Sequence, residues 1–137
     1  TSLGSADTIE PLATIRLNSA YSDAVVIPTS IDFVTTSVVY GELLLIKDAT
    51  LTGASYANVA NSVVQVDTTA NATTGGTIVY SKVFASRDVV ELDPELQRRL
   101  QLERDIDGTS STLTLAVQTT SNNPDAIWNF GWQEKSN

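Results

Sequence analysis

The chain has 137 residues, a length that fits one domain able to bury a sizeable core without staples. It contains no cysteine and no histidine, so disulfides, thiolate metal sites and His-dependent nucleophile systems are excluded for this chain alone. Its formal net charge of −8 repels phosphate, which argues against direct nucleic-acid binding and against anionic membranes.

In chain order, Thr1-Ser2-Leu3-Gly4-Ser5 carries neither a basic start nor an apolar stretch, so it does not read as a signal peptide. Residues 1–10 read as an N-terminal arm, mobile or ordered by a neighbouring subunit, ahead of a single domain over residues 11–137. Ala13, Ile15 and Leu17 alternate with Thr14 and Arg16, a period of two that predicts a half-buried strand. Residues 24–27, 38–46 and 78–84 are apolar on both faces and predict strands deep in the fold, with Gly41 as a bend or bulge. Residues 62–67 predict a shorter strand. Pro28-Thr29-Ser30, Lys47-Asp48-Ala49, Thr74-Gly75-Gly76, Asp107-Gly108 and Asn122-Asn123-Pro124-Asp125 carry turn chemistry, and residues 68–76 read as an exposed loop.

Asp93-Pro94-Glu95 opens like a helix, with Asp93 as cap and Pro94 at the first position. About two turns would place Leu96 and Leu100 together; the alternative is a shorter turn followed by a strand over residues 100–106. Leu113, Leu115 and Val117, then Trp128, Phe130 and Trp132, again alternate with polar or small residues. No internal repeat or composition shift marks a second domain. The predicted fold is all-β: a β-sandwich of jelly-roll or related Greek-key topology, with one short helix near residues 94–102 and a barrel as the alternative closure.

The chemistry-bearing residues are few. Asp105 and Asp107 before Gly108 resemble the first half of a calcium loop, in which alternating oxygens wrap a hard cation. No distal Glu follows to complete that pattern, and the competing reading is a tight Asp-Gly turn. Asp88, Glu91, Asp93, Glu95 and Glu103 are interleaved with Arg87, Arg98, Arg99 and Arg104. Paired carboxylates can hydrolyse glycosides, but neighbouring opposite charges are the ordinary surface pattern. Arg87, Glu91, Arg98, Arg99 and Arg104 are therefore candidates for a subunit interface, and no catalytic residues are assigned.

Trp128, Phe130 and Trp132 suit a sugar-stacking platform, but three aromatics on one strand face suit a core better. Tyr21 and Tyr56, next to turn signals, are the better candidates for contact with a ligand or partner. Asn71-Ala72-Thr73 is a glycosylation sequon that reads as accidental without a secretory signal, and Thr74-Gly75-Gly76-Thr77 lacks the length and the lysine of a phosphate loop.

Several stretches occur in a familiar order: Leu51-Thr52-Gly53-Ala54-Ser55-Tyr56, Ser62-Val63-Val64-Gln65-Val66-Asp67, Thr74-Gly75-Gly76-Thr77-Ile78, Arg104-Asp105-Ile106-Asp107-Gly108 and the closing Trp132-Gln133-Glu134. Over residues 9–134 the chain resembles domains in structural proteins of tailed bacteriophages, often found at the C-terminal end of longer chains. The resemblance implies a virion component, commonly a homotrimer, acting as capsid decoration or cement, head fibre or tail-attachment part. It implies itself and a major capsid or other virion protein as partners, and it offers no catalytic residues to carry over. Taken as a whole protein, the chain would suit a decoration or head-surface role better than a fibre tip. The expectation is a non-enzymatic virion structural protein that needs no cofactor unless calcium sits at Asp105 and Asp107. A carbohydrate-binding or adhesin module with a surface glycan as ligand is the alternative, and an acidic hydrolase is the third class.

Overall fold

The computed structural model describes residues 2–21, 24–91, 94–102 and 110–136. Among these residues eleven strands and one short helix follow in order: β1 (Glu10–Leu17), β2 (Ala24–Thr35), β3 (Tyr40–Lys47), β4 (Thr50–Thr52), β5 (Ala57–Asn58), β6 (Val64–Asp67), β7 (Ala72–Thr74), β8 (Thr77–Ala85), β9 (Arg87–Glu91), α1 (Pro94–Arg99), β10 (Leu113–Thr119) and β11 (Ala126–Ser136). Nine strands form one antiparallel sheet in the order β11-β2-β9-β8-β3-β10-β1-β6-β5, and β4 pairs with β7 separately.

That long sheet folds over on itself into an all-β sandwich. The corner is Ser86, in the left-handed region at φ 66°, between β8 and β9. These two strands share only the Ala85–Arg87 pairing. One leaf holds β8-β3-β10-β1-β6-β5 and the other β11-β2-β9. The chain passes from leaf to leaf at most of its long connections, the non-local pairing of Greek-key and jelly-roll sandwiches.

Alternation decides which side chains meet between the leaves. Ile15 and Leu17 of β1, Leu43 and Leu45 of β3, and Leu113, Leu115 and Val117 of β10 face Ile31, Phe33, Ala126 and Phe130 of the opposite leaf in one cluster. Phe33 and Phe84 meet edge to face at 4.7 Å. As the alternation predicts, Phe130 is buried, while Trp128 and Trp132 pack half-buried against the core. Pro94 opens α1, whose Leu96 packs against the same cluster that holds Leu100 and Leu102. Leu102 then bridges to Val26.

The outer face of the first leaf has a small core of its own. Leu44, Ile46 and Ala116 are covered in part by Ile9 and Ala49, and β7 lies against β1. Thr14 and Thr114, fully buried between them, bond hydroxyl to hydroxyl at 2.8 Å.

Five expectations need correction. The expected N-terminal arm is not free over its described residues 2–10: Leu3 is buried in the core, and its N–H donates to the Pro124 carbonyl at 2.8 Å. Leu3 and Ile9 fasten the segment at its two ends, and the neighbouring turn supplies backbone partners. Pro28 does not end a strand: β2 runs through it. The proline sits where the pairing with β11 shifts register between Gly131 and Trp132, beyond the end of β9, so its missing N–H costs no ladder bond to a described residue. Gly41 marks no bend. A Cβ there would meet the Gln118 carbonyl oxygen at 2.5 Å and the Phe84 ring at 2.9 Å, so the glycine permits close packing. Residues 78–84 are deep on one face only: Phe84 is buried and Val79 and Tyr80 pack against the core, whereas Ile78 and Val83 are exposed, and no described residue pairs with the far edge of β8 below Ala85. The expected loop over residues 68–76 also contains β7.

Candidate functional sites

Two constellations on the outer face of the first leaf bring polar and aromatic side chains together. The first lies across β1, β6 and β5. The pairing sets Arg16 opposite Gln65, and Gln65 opposite Asn58. Side chains opposite each other across strands point to the same face, so the three form a row. Arg16 Nε donates to Gln65 Oε1 at 2.9 Å, and Gln65 Nε2 donates to Asn58 Oδ1 at 2.9 Å. Asn18 Nδ2 donates to that same Asn58 oxygen at 3.1 Å. The Arg16 guanidinium carbon lies 3.7 Å from the centre of the Tyr56 ring, a stacked cation–π contact. Burial pushes the Tyr56 phenol above its ordinary range; Arg16 opposes that shift and Asp67 adds to it.

Asp67 fastens the loop that carries Tyr56. Its Oδ1 accepts from the N–H of Ser55 at 2.9 Å, the N–H of Thr69 at 3.0 Å and the Thr69 hydroxyl at 2.6 Å. Its Oδ2 accepts from the Ala70 N–H at 3.2 Å. Burial alone would push this carboxyl up, but the hydrogen bonds from Thr69, Ser55 and Ala70 outweigh it and hold the carboxyl below its ordinary range. Asp67 therefore acts as a clasp, holding the segment after β4 and the segment after β6 together.

The second constellation is a shallow groove of about 280 Å³ lined by Asp7, Tyr40, Glu42, Val83, Gln118 and Thr120. Its frame is fixed by backbone bonds. The Asp7 N–H donates to the Thr119 carbonyl at 2.8 Å, and the Thr120 N–H donates to the Tyr40 carbonyl at 3.1 Å. Gln118 Nε2 donates to the Asp7 carbonyl at 3.1 Å. Tyr40 is 60 % exposed and Val83 77 %, whereas Glu42 is half-buried.

Of the two tyrosines selected from the sequence, Tyr21 is exposed as expected, and its N–H donates to the Asn18 carbonyl at 3.1 Å. Tyr56 is not freely exposed: it is half-buried and engaged with Arg16. Asp105, Asp107 and Arg104 lie outside the described residues, as does any calcium loop there. Arg87 and Glu91 stand at the two ends of β9, and Arg99 ends α1; their side chains lie outside the description. Arg98 is exposed, its Nε donating to the Pro94 carbonyl at 3.3 Å. Among the described residues no group of three or more Asp or Glu side chains is placed to hold a metal ion.

Sequence reasoning passed over Arg16, Asp67 and Glu42. A signal existed for Asp67: Asp67-Thr68-Thr69 is the short-range pattern in which a carboxylate caps the amide two residues on. Arg16 and Glu42 gave none, because a charged residue at alternate positions of a strand reads as its solvated face.

No family model, curated protein or solved structure matches the chain.

Proposed function

We propose that the protein is a non-enzymatic structural subunit that self-associates on the surface of a larger particle. In the setting the resemblance suggests, that particle is a tailed bacteriophage and the role is capsid decoration or a head-surface component. The observation that carries this reading is the outer face of the second leaf. There Ile127 of β11 and Val34 of β2 are cross-strand partners, both exposed, at 69 % and 38 %. β11 ends the sheet, and no described strand pairs with its outer edge. The register shift at Gly131, followed by Glu134 and Lys135, blunts the C-terminal half of that edge. Past the Ser2–Asp125 bridge at its start, the half around Ile127 has no such protection among the described residues. A second copy of the chain can bury the apolar pair and add backbone bonds along the open edge, and repetition of one contact closes a ring.

The test is native mass by light scattering after size exclusion, on the wild type and on Ile127→Glu. The expected result is a closed oligomer, a trimer by the resemblance, that falls to monomer in the variant with unchanged circular dichroism. A monomeric wild type that also fails to bind stripped virions would overturn the proposal.

A second reading, glycan binding, is favoured by Tyr21, which is exposed next to the amide row of Asn18, Asn58 and Gln65. A glycan array without hits would remove it.

A further inference from the structure

The groove on the first leaf has a chemistry that the assembly reading does not use. Its lining is rich in acceptors and poor in donors. Neither the Glu42 nor the Asp7 carboxylate has a hydrogen bond or ion pair among the described residues. The Gln118 amide spends a donor on the Asp7 carbonyl, which leaves its oxygen available. The Thr120 hydroxyl donates back to the Tyr40 carbonyl at 3.3 Å. Beside these acceptors stand the exposed ring of Tyr40 and the aliphatic Val83.

A ligand for such a surface must bring donors, a positive charge and an apolar stem. A carboxylate pair supplies the charge complement, a tyrosine face attracts a cation, and a valine packs against methylenes. The volume, about 280 Å³, is at or below the low end for small-molecule pockets and suits one long side chain. The net charge of −8 draws cations towards the surface and contributes nothing for a neutral sugar.

We propose that the groove formed by Asp7, Tyr40, Glu42, Val83 and Gln118 is a docking site for a basic side chain, arginine above all, presented by a partner protein. Arginine is favoured over lysine because its planar fork can bond a carboxylate in two places while stacking on a ring. The site lies on the leaf away from Ile127, so it stands or falls independently of the self-association reading.

The test is an amide-resolved NMR titration of the full chain with N-acetyl-arginine amide, with lactose as the neutral comparison. The expected result is saturable shifts at millimolar concentration, confined to the amides of Tyr40, Glu42, Val83, Gln118 and Thr120. They should weaken several-fold when salt rises from about 50 to about 300 mM, because the attraction is between partly exposed charges. They should disappear in Asp7→Asn/Glu42→Gln and persist in Ile127→Glu, with all spectra keeping native dispersion. Absence of localised shifts up to about 50 mM ligand, a concentration at which even a millimolar contact is saturated, would overturn the proposal. So would equal shifts with lactose that salt leaves unchanged, which would make the groove a glycan site.

Discussion

Replacing Asp67 tests the claim that one carboxylate fastens the outer loops to the sheet. Asp67 is 1 % exposed and accepts four hydrogen bonds, three from backbone amides and one from a hydroxyl. Hydrogen bonds to a charged acceptor contribute roughly 1.5–3 kcal/mol each when buried. They do not add, and Ser55 and Thr69 are themselves exposed, so their amides can recover water when the carboxylate is removed. Asp67→Ala should therefore cost about 2–4 kcal/mol. For 137 residues the unfolding entropy makes each kcal/mol worth about 3–4 °C, so Tm should fall by about 7–14 °C. Asp67→Asn keeps one acceptor oxygen but turns an amide towards the Ala70 N–H, and should lose roughly half as much. The pH dependence follows from the depressed folded pKa. The carboxylate's contribution is complete above its unfolded value of about 3.9 and is lost as pH falls through the lower folded value. The stability gap between wild type and Asp67→Asn should thus be flat near neutrality and narrow below about pH 4. Urea unfolding across this range measures it. A loss under about 0.5 kcal/mol for Asp67→Ala, against the roughly 1–3 kcal/mol of even one unsatisfied buried donor, would refute the clasp.

The buried Thr14–Thr114 pair should show strong coupling: either single Thr→Val change leaves a hydroxyl unpaired and costs about 1–2 kcal/mol, while the double change should be nearly neutral by urea unfolding. Gly41→Ala should destabilise by about 1–3 kcal/mol through overpacking, since its new methyl meets the Gln118 backbone carbonyl rather than a side chain able to move aside. Phe33→Ala removes the ring that meets Phe84 across the leaves and should cost about 3–5 kcal/mol, a large part of the total for a domain of this kind, read from the same unfolding curves.

The parts of the fold legible in the sequence are those where a strand has one wet and one dry face. Ala126 and Phe130 are buried on either side of exposed Ile127 and Asn129. The aromatic face of β11 could be assigned to the core on that ground alone. In contrast, β10, expected to be half-buried, is buried on both faces because Thr114 and Ala116 lie under the second small core, and the turn expected at Pro28 hid the alternation of Ile31, Phe33 and Thr35. The start of the helix was legible because Pro94 fixes it, but its length was not: α1 ends at Arg99, short of the expected residue 102, and Leu100 and Leu102 enter the core from beyond it. The groove was not legible, because its lining comes from four separate stretches of chain that only the β8-β3-β10 pairing and the Asp7–Thr119 bond bring together.

β8 shows where periodicity loses its meaning. An apolar residue on both faces implies depth only if other layers cover both faces, and that depends on topology. Thr77–Ala85 pairs with β3 on one side, but at Ser86 the left-handed backbone turns the chain into the other leaf. β9 therefore pairs beside β2 in the other leaf, and no described layer covers the outward face of β8 at Ile78 and Val83. The same apolar run that reads as interior becomes, through one corner residue, the wall of a groove beside Tyr40 and Glu42.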